Sequence, residues 1–132
     1  MKLSLAASTF VALALAGMTN AAALAGAGVS CTNWIIVPNT ADVAADCRTA
    51  DGGFQHTQIA LSKCLGNGDG NPGCTRGGGA GESCVFSNIY AIYGNPVVSV
   101  NAQCKRRDGS INTIGGLDIG TCLTNSNGIL SC

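Results

Sequence analysis

The stretch Cys64-Leu-Gly-Asn-Gly-Asp-Gly-Asn-Pro-Gly-Cys74 has a near copy later in the chain, Cys122-Leu-Thr-Asn-Ser-Asn-Gly-Ile-Leu-Ser-Cys132. Both fit C-L-x-N-x-[DN]-G-x-x-x-C, with nine residues between the cysteines. A doubled, cysteine-bounded turn restricts the chain to folds that use one hairpin twice. The odd spacing places two facing strand residues around a three-residue loop, here 68–70 and 126–128. The last residue of such a loop needs a positive φ, where glycine carries no steric penalty. Gly70 and Gly128 stand there. Each copy is therefore predicted to be a hairpin closed by its own disulfide.

The rest of the chain repeats with it. The cysteines fall at 31, 47, 64 and 74, then at 84, 104, 122 and 132, offsets of 53, 57, 58 and 58. Ile59 and Leu61 precede the first hairpin as Leu117 and Ile119 precede the second. Self-similarity at this period means one supersecondary unit used twice, and two copies complete one core between them. Repeat 1 spans 31–74 and repeat 2 spans 84–132. Between them, Thr75-Arg-Gly-Gly-Gly-Ala-Gly-Glu82 has the composition of a flexible linker or hinge.

Residues 1–25 carry a basic start and an apolar run, followed by small residues suited to signal-peptidase cleavage after Ala21, Ala23 or Ala25. The run is too short and alanine-rich for a membrane span. Residues 26–132 make one small domain. Of seven basic residues, Lys2 leaves with the signal, so six remain against seven acidic ones. A near-neutral domain argues against nucleic acid or membrane partners, which need a basic field. Eight cysteines behind a signal sequence imply four disulfides and an extracellular, secreted protein. With no C-x-x-C and one histidine, no metal site is expected. The repeat reduces the 105 connectivities open to eight cysteines. Equivalent pairs within each unit give Cys31–Cys47, Cys64–Cys74, Cys84–Cys104 and Cys122–Cys132.

Strands are predicted at 34–37, 43–49, 54–61, 89–93, 97–104, 110–114 and 117–119, besides the two hairpins. There Val, Ile, Thr and aromatics recur between Gly, Asn and Pro. The doubled set resembles the cyanovirin-N homology (CVNH) family. The residues that carry the likeness are Cys31, Cys47, Asp51-Gly52-Gly53, Ile59-Ala-Leu61 and Asn67-Gly-Asp69-Gly70. Their second copies are Cys84, Cys104, Asp108-Gly109, Leu117-Asp-Ile119 and Asn125-Ser-Asn127-Gly128. The added hairpin cysteines look like those of secreted fungal members. The resemblance implies an all-β, elongated, pseudo-twofold fold, stapled by disulfides, in which two tandem repeats are intertwined. Each half would combine the strands of one repeat with the closing hairpin of the other, with boundaries near 62–63 and 121.

The family binds mannose-rich glycans without catalysis, with one site in each half. Carried onto this sequence, the first site comprises Arg48, Thr49, Asp51, Thr124, Asn125, Ser126 and Asn127, edged by residues before Cys31. The second comprises Gly66, Asn67, Gly68, Asp69, Lys105, Arg106 and Arg107. Sugar hydroxyls both donate and accept, so carboxylates, amides and backbone groups on a rigid hairpin suit them. The same Asn and Asp residues are also ordinary turn formers. Gly66 and Gly68 offer the second site no side chains, and the additional loop Tyr93-Gly-Asn-Pro96 could cover or extend a site. Alanine at Asn125 and Asn127 is expected to weaken binding at nearly unchanged melting temperature.

Other chemistry finds less support. Asn67-x-Asp69-x-Asn71 lacks the glycine and closing glutamate of a calcium loop. His56 has no nucleophile to activate, and the seven scattered acidic residues do not mark a paired-carboxylate glycosidase. The expectation is a lectin for mannose-type oligosaccharide, not an enzyme and without a cofactor. It should be mainly monomeric, with a domain-swapped dimer within reach of its hinge. The alternative is a secreted scaffold or effector of this fold that has lost sugar binding and contacts a protein.

Overall fold

A computed structural model describes residues 26–132; the expected signal segment lies outside them. Strands β1 (Cys31–Ile36), β2 (Asp42–Arg48) and β3 (Phe54–Ala60) form an antiparallel three-stranded sheet. Strands β4 (Leu65–Gly68) and β5 (Asn71–Cys74) form a separate hairpin. The second repeat reproduces both units, with β6 (Cys84–Ala91), β7 (Val98–Lys105) and β8 (Ile111–Asp118) as a sheet. The hairpin of β9 (Thr124–Ser126) and β10 (Ile129–Ser131) completes it. Among the described residues, helix is confined to α1 (Ala27–Ser30) and to 3-10 turns at Leu61–Lys63, Ala80–Glu82 and Gly120–Cys122.

The repeats are intertwined as the resemblance implied. The β9–β10 hairpin docks on the first sheet, where the Leu130 N–H donates to Thr57 Oγ1 at 3.0 Å. The β4–β5 hairpin docks on the second, where Asn112 Nδ2 donates to the Gly70 carbonyl at 2.7 Å. The 3-10 turns at 61–63 and 120–122 are where the chain crosses between halves. The core repeats in the same way: Leu61 and Ile119, Leu65 and Leu123, and Val43 and Val100 are all fully buried. In β7 the buried residues Val98, Val100, Ala102 and Cys104 alternate with more exposed ones, so that sheet turns one face to the core.

Two of the four predicted bridges, Cys31–Cys47 and Cys84–Cys104, are present, each between directly opposed residues. The two hairpin bridges, Cys64–Cys74 and Cys122–Cys132, are not formed. The disulfides are instead Cys64–Cys132 and Cys74–Cys122. The reason is register. The hairpins turn through two residues, Asp69-Gly70 and Asn127-Gly128, with φ of 54° and 91° in one and 49° and 90° in the other. Two consecutive positive φ values make the turn whose twist matches the flanking strands, and Asp-Gly and Asn-Gly are its preferred pairs. Cys74 therefore faces Leu65 rather than Cys64. A one-residue slip in a strand sends a side chain to the opposite face, so the hairpin's own cysteines point apart. Each instead meets a cysteine of the other hairpin, and the two cross-bridges exchange under the pseudo-twofold.

The segment 75–82, flexible by composition, is pinned to the first hairpin. Thr75, Gly77 and Gly79 donate to the carbonyls of Cys64, Lys63 and Ser62 at 2.8–2.9 Å. Gly78 packs so closely that an added Cβ would lie 2.5 Å from the Gly66 Cα. Its end is the counterpart of the segment before Cys31. Gly79 and Ala80 correspond to Gly26 and Ala27, both glycines have positive φ, and both alanines are fully buried. Each structural repeat thus begins about five residues before its first cysteine.

Candidate functional site

Each half locks a hairpin tip onto the turn that follows its sheet's second strand, and the two locks match bond for bond. Asn125 Nδ2 donates to Ser30 Oγ and to the Arg48 carbonyl, both at 2.9 Å. Its Oδ1 accepts from the Gly128 N–H at 2.7 Å. In the other half, Asn67 Nδ2 donates to Ser83 Oγ and to the Lys105 carbonyl, both at 2.8 Å. Its Oδ1 accepts from the Gly70 N–H at 2.7 Å. The next acceptors out also correspond. Asn127 Oδ1 takes the Ala50 N–H and Asp69 Oδ1 takes the Arg107 N–H, each at 2.8 Å. Asn125 is only 3% exposed, with every polar atom used. The two asparagines are therefore clamps that fix the tip: both Nδ2 hydrogens of each are spent, Asn125 is buried, and half-buried Asn67 keeps one acceptor position on Oδ1.

The remaining residues of the first set gather around this clamp. Thr49 and Asp51 form a small turn in which Asp51 Oδ1 accepts from the Thr49 hydroxyl and from the Gly53 N–H. The Thr49 hydroxyl, and secondarily the Gly53 N–H, hold the Asp51 carboxyl below its ordinary range. Thr124 bonds across its hairpin to Ser131, whereas Ser126 and Asn127 are exposed. Among the described residues the Asn127 Nδ2 makes no bond, so it is available as a donor. Arg48 donates from Nη1 to the Tyr93 hydroxyl at 3.2 Å, which brings the additional loop of repeat 2 to the first site. The array offers a fixed carboxylate, an amide donor, a guanidinium and two hydroxyls around one rigid tip.

The second set comes together with fewer outward groups. Gly66 is buried against Thr75 and Gly78. Arg106 lies over Gly70 and donates to Ser110 Oγ at 3.2 Å. Lys105, Arg107, Gly68 and Asp69 are exposed. Asp108 repeats the Asp51 turn: the Ser110 hydroxyl, followed by the Ser110 N–H, lowers its pKa. Sequence reasoning reached Ser30 only as one of the residues before Cys31 that edge the first site, and missed its counterpart Ser83, which stands immediately before Cys84. It also missed Phe54, next in the chain to the Asp51 turn. His56 is an exposed strand residue paired at 2.9 Å with Asp46. A groove of about 860 Å³ between Lys63, Arg76, Ile59 and Ile129 is lined by none of the residues of either set. Among the described residues no cluster of three metal-ligating side chains occurs, and no helix is long and apolar enough to cross a membrane.

This is a doubled β-unit module that presents one clamped polar hairpin tip in each half. The family model of the CVNH domain matches residues 29–131, and the chain belongs to the CVNH family. Among solved structures, a designed cyanovirin-N homolog lectin, LKAMG, matches with a TM-score of 0.67 and 19% identity over 80% of this chain and 97% of that one. Microvirin in complex with mannobiose matches with a TM-score of 0.58 and 22% identity, over 77% and 93% of the two chains. A MoCVNH3 variant in complex with (N-GlcNAc)4 matches with a TM-score of 0.57 and 17% identity, over 77% and 93%. At these identities the likeness is one of fold. No match was found among curated protein sequences.

Proposed function

We propose that this protein is a secreted, non-catalytic lectin that binds mannose-type oligosaccharide at its hairpin tips, more strongly at the first. The observation that carries this reading is the duplicated clamp. Burying an asparagine with three hydrogen bonds stiffens a hairpin tip far beyond what a turn requires, and a polyhydroxyl ligand needs donors and acceptors whose positions are already fixed. Asp51 supplies acceptors, while Asn127 and Arg48 supply donors. The solved relatives with mannobiose and with an N-acetylglucosamine tetramer lend the reading a ligand class. All eight cysteines are oxidised, which fits an extracellular setting. Shallow polar contacts bind weakly one at a time, so two sites would gain by avidity on a branched glycan. The protein is proposed to act mainly as a monomer.

Calorimetric titration with a high-mannose oligosaccharide and a panel of other glycans tests this reading. It expects saturable binding, weakened at least severalfold by Asp51→Ala with Asn127→Ala. A folded protein that binds no glycan of the panel would instead support the protein-contacting scaffold.

A further inference from the structure

Beside the first tip stands a pair of half-exposed aromatic rings that the carried-over site does not include. Phe54 begins β3 directly opposite Arg48 and is 51% exposed. Tyr93 comes from the additional loop of the other repeat and is 46% exposed. Their ring centroids are 6.1 Å apart with planes inclined at 58°. Isolated exposed hydrophobic residues need no explanation, but this pair is held in place. The loop sits directly on α1, where a Cβ at Gly28 would lie 2.6 Å from the Asn95 carbonyl oxygen. The Asn95 N–H donates to the Ile92 carbonyl and Asn95 Oδ1 accepts from the Val97 N–H, both at 2.9 Å. The Arg48 guanidinium fixes the Tyr93 hydroxyl. It spends one of five N–H donors there, so others remain for a ligand oxygen at the ring's edge.

The other half lacks this feature. Ile111, opposite Lys105, occupies the place of Phe54, and the corresponding 37–41 loop, Val-Pro-Asn-Thr-Ala, has no aromatic residue. The shelf is therefore a property of one tip and not of the repeat.

We propose that the Phe54–Tyr93 shelf, with Arg48 at its edge, extends the first tip into a subsite for an equatorially linked, glucose-configured pyranose residue. This rests on the lectin reading. A pyranose with all substituents equatorial presents faces made of axial C–H bonds. Such a face is apolar enough to be buried on an aromatic ring, while its equatorial hydroxyls reach outward to polar neighbours. An α-linked mannose places an axial oxygen on each face, O1 on one and O2 on the other, and stacks poorly. The shelf therefore selects β-linked glucose or N-acetylglucosamine units, while the hairpin tip supplies the directional hydrogen bonds.

The test compares binding of α-linked mannobiose and of a β-1,4-linked N-acetylglucosamine tetramer to the wild type, Tyr93→Ala, Phe54→Ala and Tyr93→Phe. Melting curves confirm that each variant is folded. Both alanine variants should weaken tetramer binding roughly fivefold to tenfold, the scale of a lost aromatic contact, and change mannobiose binding less than about twofold. Tyr93→Phe keeps the ring and should retain most of the tetramer affinity. Mannobiose binding with a tetramer that does not bind, or that ignores both alanine variants, would overturn the shelf and leave the lectin reading intact. Equal losses for both ligands would overturn the shelf as a selective subsite. Failure of the wild type to bind either sugar would count against both.

Discussion

At the scale of single residues, the clamp asparagines and the turn carboxylates have opposite duties. Asn125→Ala removes three hydrogen bonds from a buried site and leaves the Arg48 carbonyl and the Gly128 N–H without partners. Stranded buried groups carry their full desolvation penalty, so the expected loss is about 2–4 kcal/mol, measured by chemical denaturation. The carried-over site led instead to the expectation that alanine at Asn125 together with Asn127 weakens binding at nearly unchanged melting temperature, and the buried bonds of Asn125 argue against the second half of it. Asp51 and Asp108 are exposed, and hydroxyl and backbone donors depress both below the ordinary value of 3.8. A depressed carboxylate contributes stability above its unfolded pKa and loses it as pH falls through the folded one. Glycan affinity that depends on ionised Asp51 should therefore hold from neutral pH to about 4 and fall only in stronger acid. Titrations across that range check this, and a decline already between pH 7 and 5 would show that another group controls binding.

At the scale of elements, most strands were legible because Val, Ile and Thr alternate between turn residues. The doubled cysteine pattern likewise disclosed the repeat. The hairpin register was not legible from the cysteine spacing. Nine intervening residues suit a three-residue loop, yet Asp69-Gly70 and Asn127-Gly128 form two-residue turns, and the local backbone preference prevails over the spacing. The segment 75–82 was misleading for another reason: glycine content suggests mobility, whereas Gly78 is small because Gly66 lies against it. The aromatic shelf could not be found by pattern at all, since Phe54 and Tyr93 come from different repeats. The register makes a firm prediction. Cys64–Cys132 and Cys74–Cys122 span 68 and 48 residues, against 16 and 20 for the bridges within repeats. Longer closures restrict the unfolded chain more, by roughly 4 kcal/mol each against roughly 3 in the chain-entropy model. Replacing Cys74 and Cys122 together by serine should lower stability by about 2–5 kcal/mol. Peptide mapping without reductant should recover the two crossed bridges, and a Cys64–Cys74 peptide would contradict the register.

At the scale of the whole molecule, the crossed bridges govern how the repeats can be exchanged. Intertwined repeats allow two chains to trade halves with few new contacts, through the 75–82 segment. In such a dimer the partners of Cys64 and Cys74 would belong to the other chain. Oxidised monomer is therefore expected not to exchange, whereas refolding the reduced protein at high concentration should yield some dimer that survives SDS until reductant is added. A dimer that SDS alone dissolves would contradict the exchange. The same construction underlies the functional account, in which each half owes its binding tip to the other repeat's hairpin. That account is tested most directly by following the backbone amides of the isotope-labelled protein by NMR during titration with α-linked mannobiose. Saturable shifts are expected at residues 48–53 and 124–128, with smaller ones at 66–69 and 105–110. Shifts confined to the Lys63–Arg76 groove, or none at all, would contradict it.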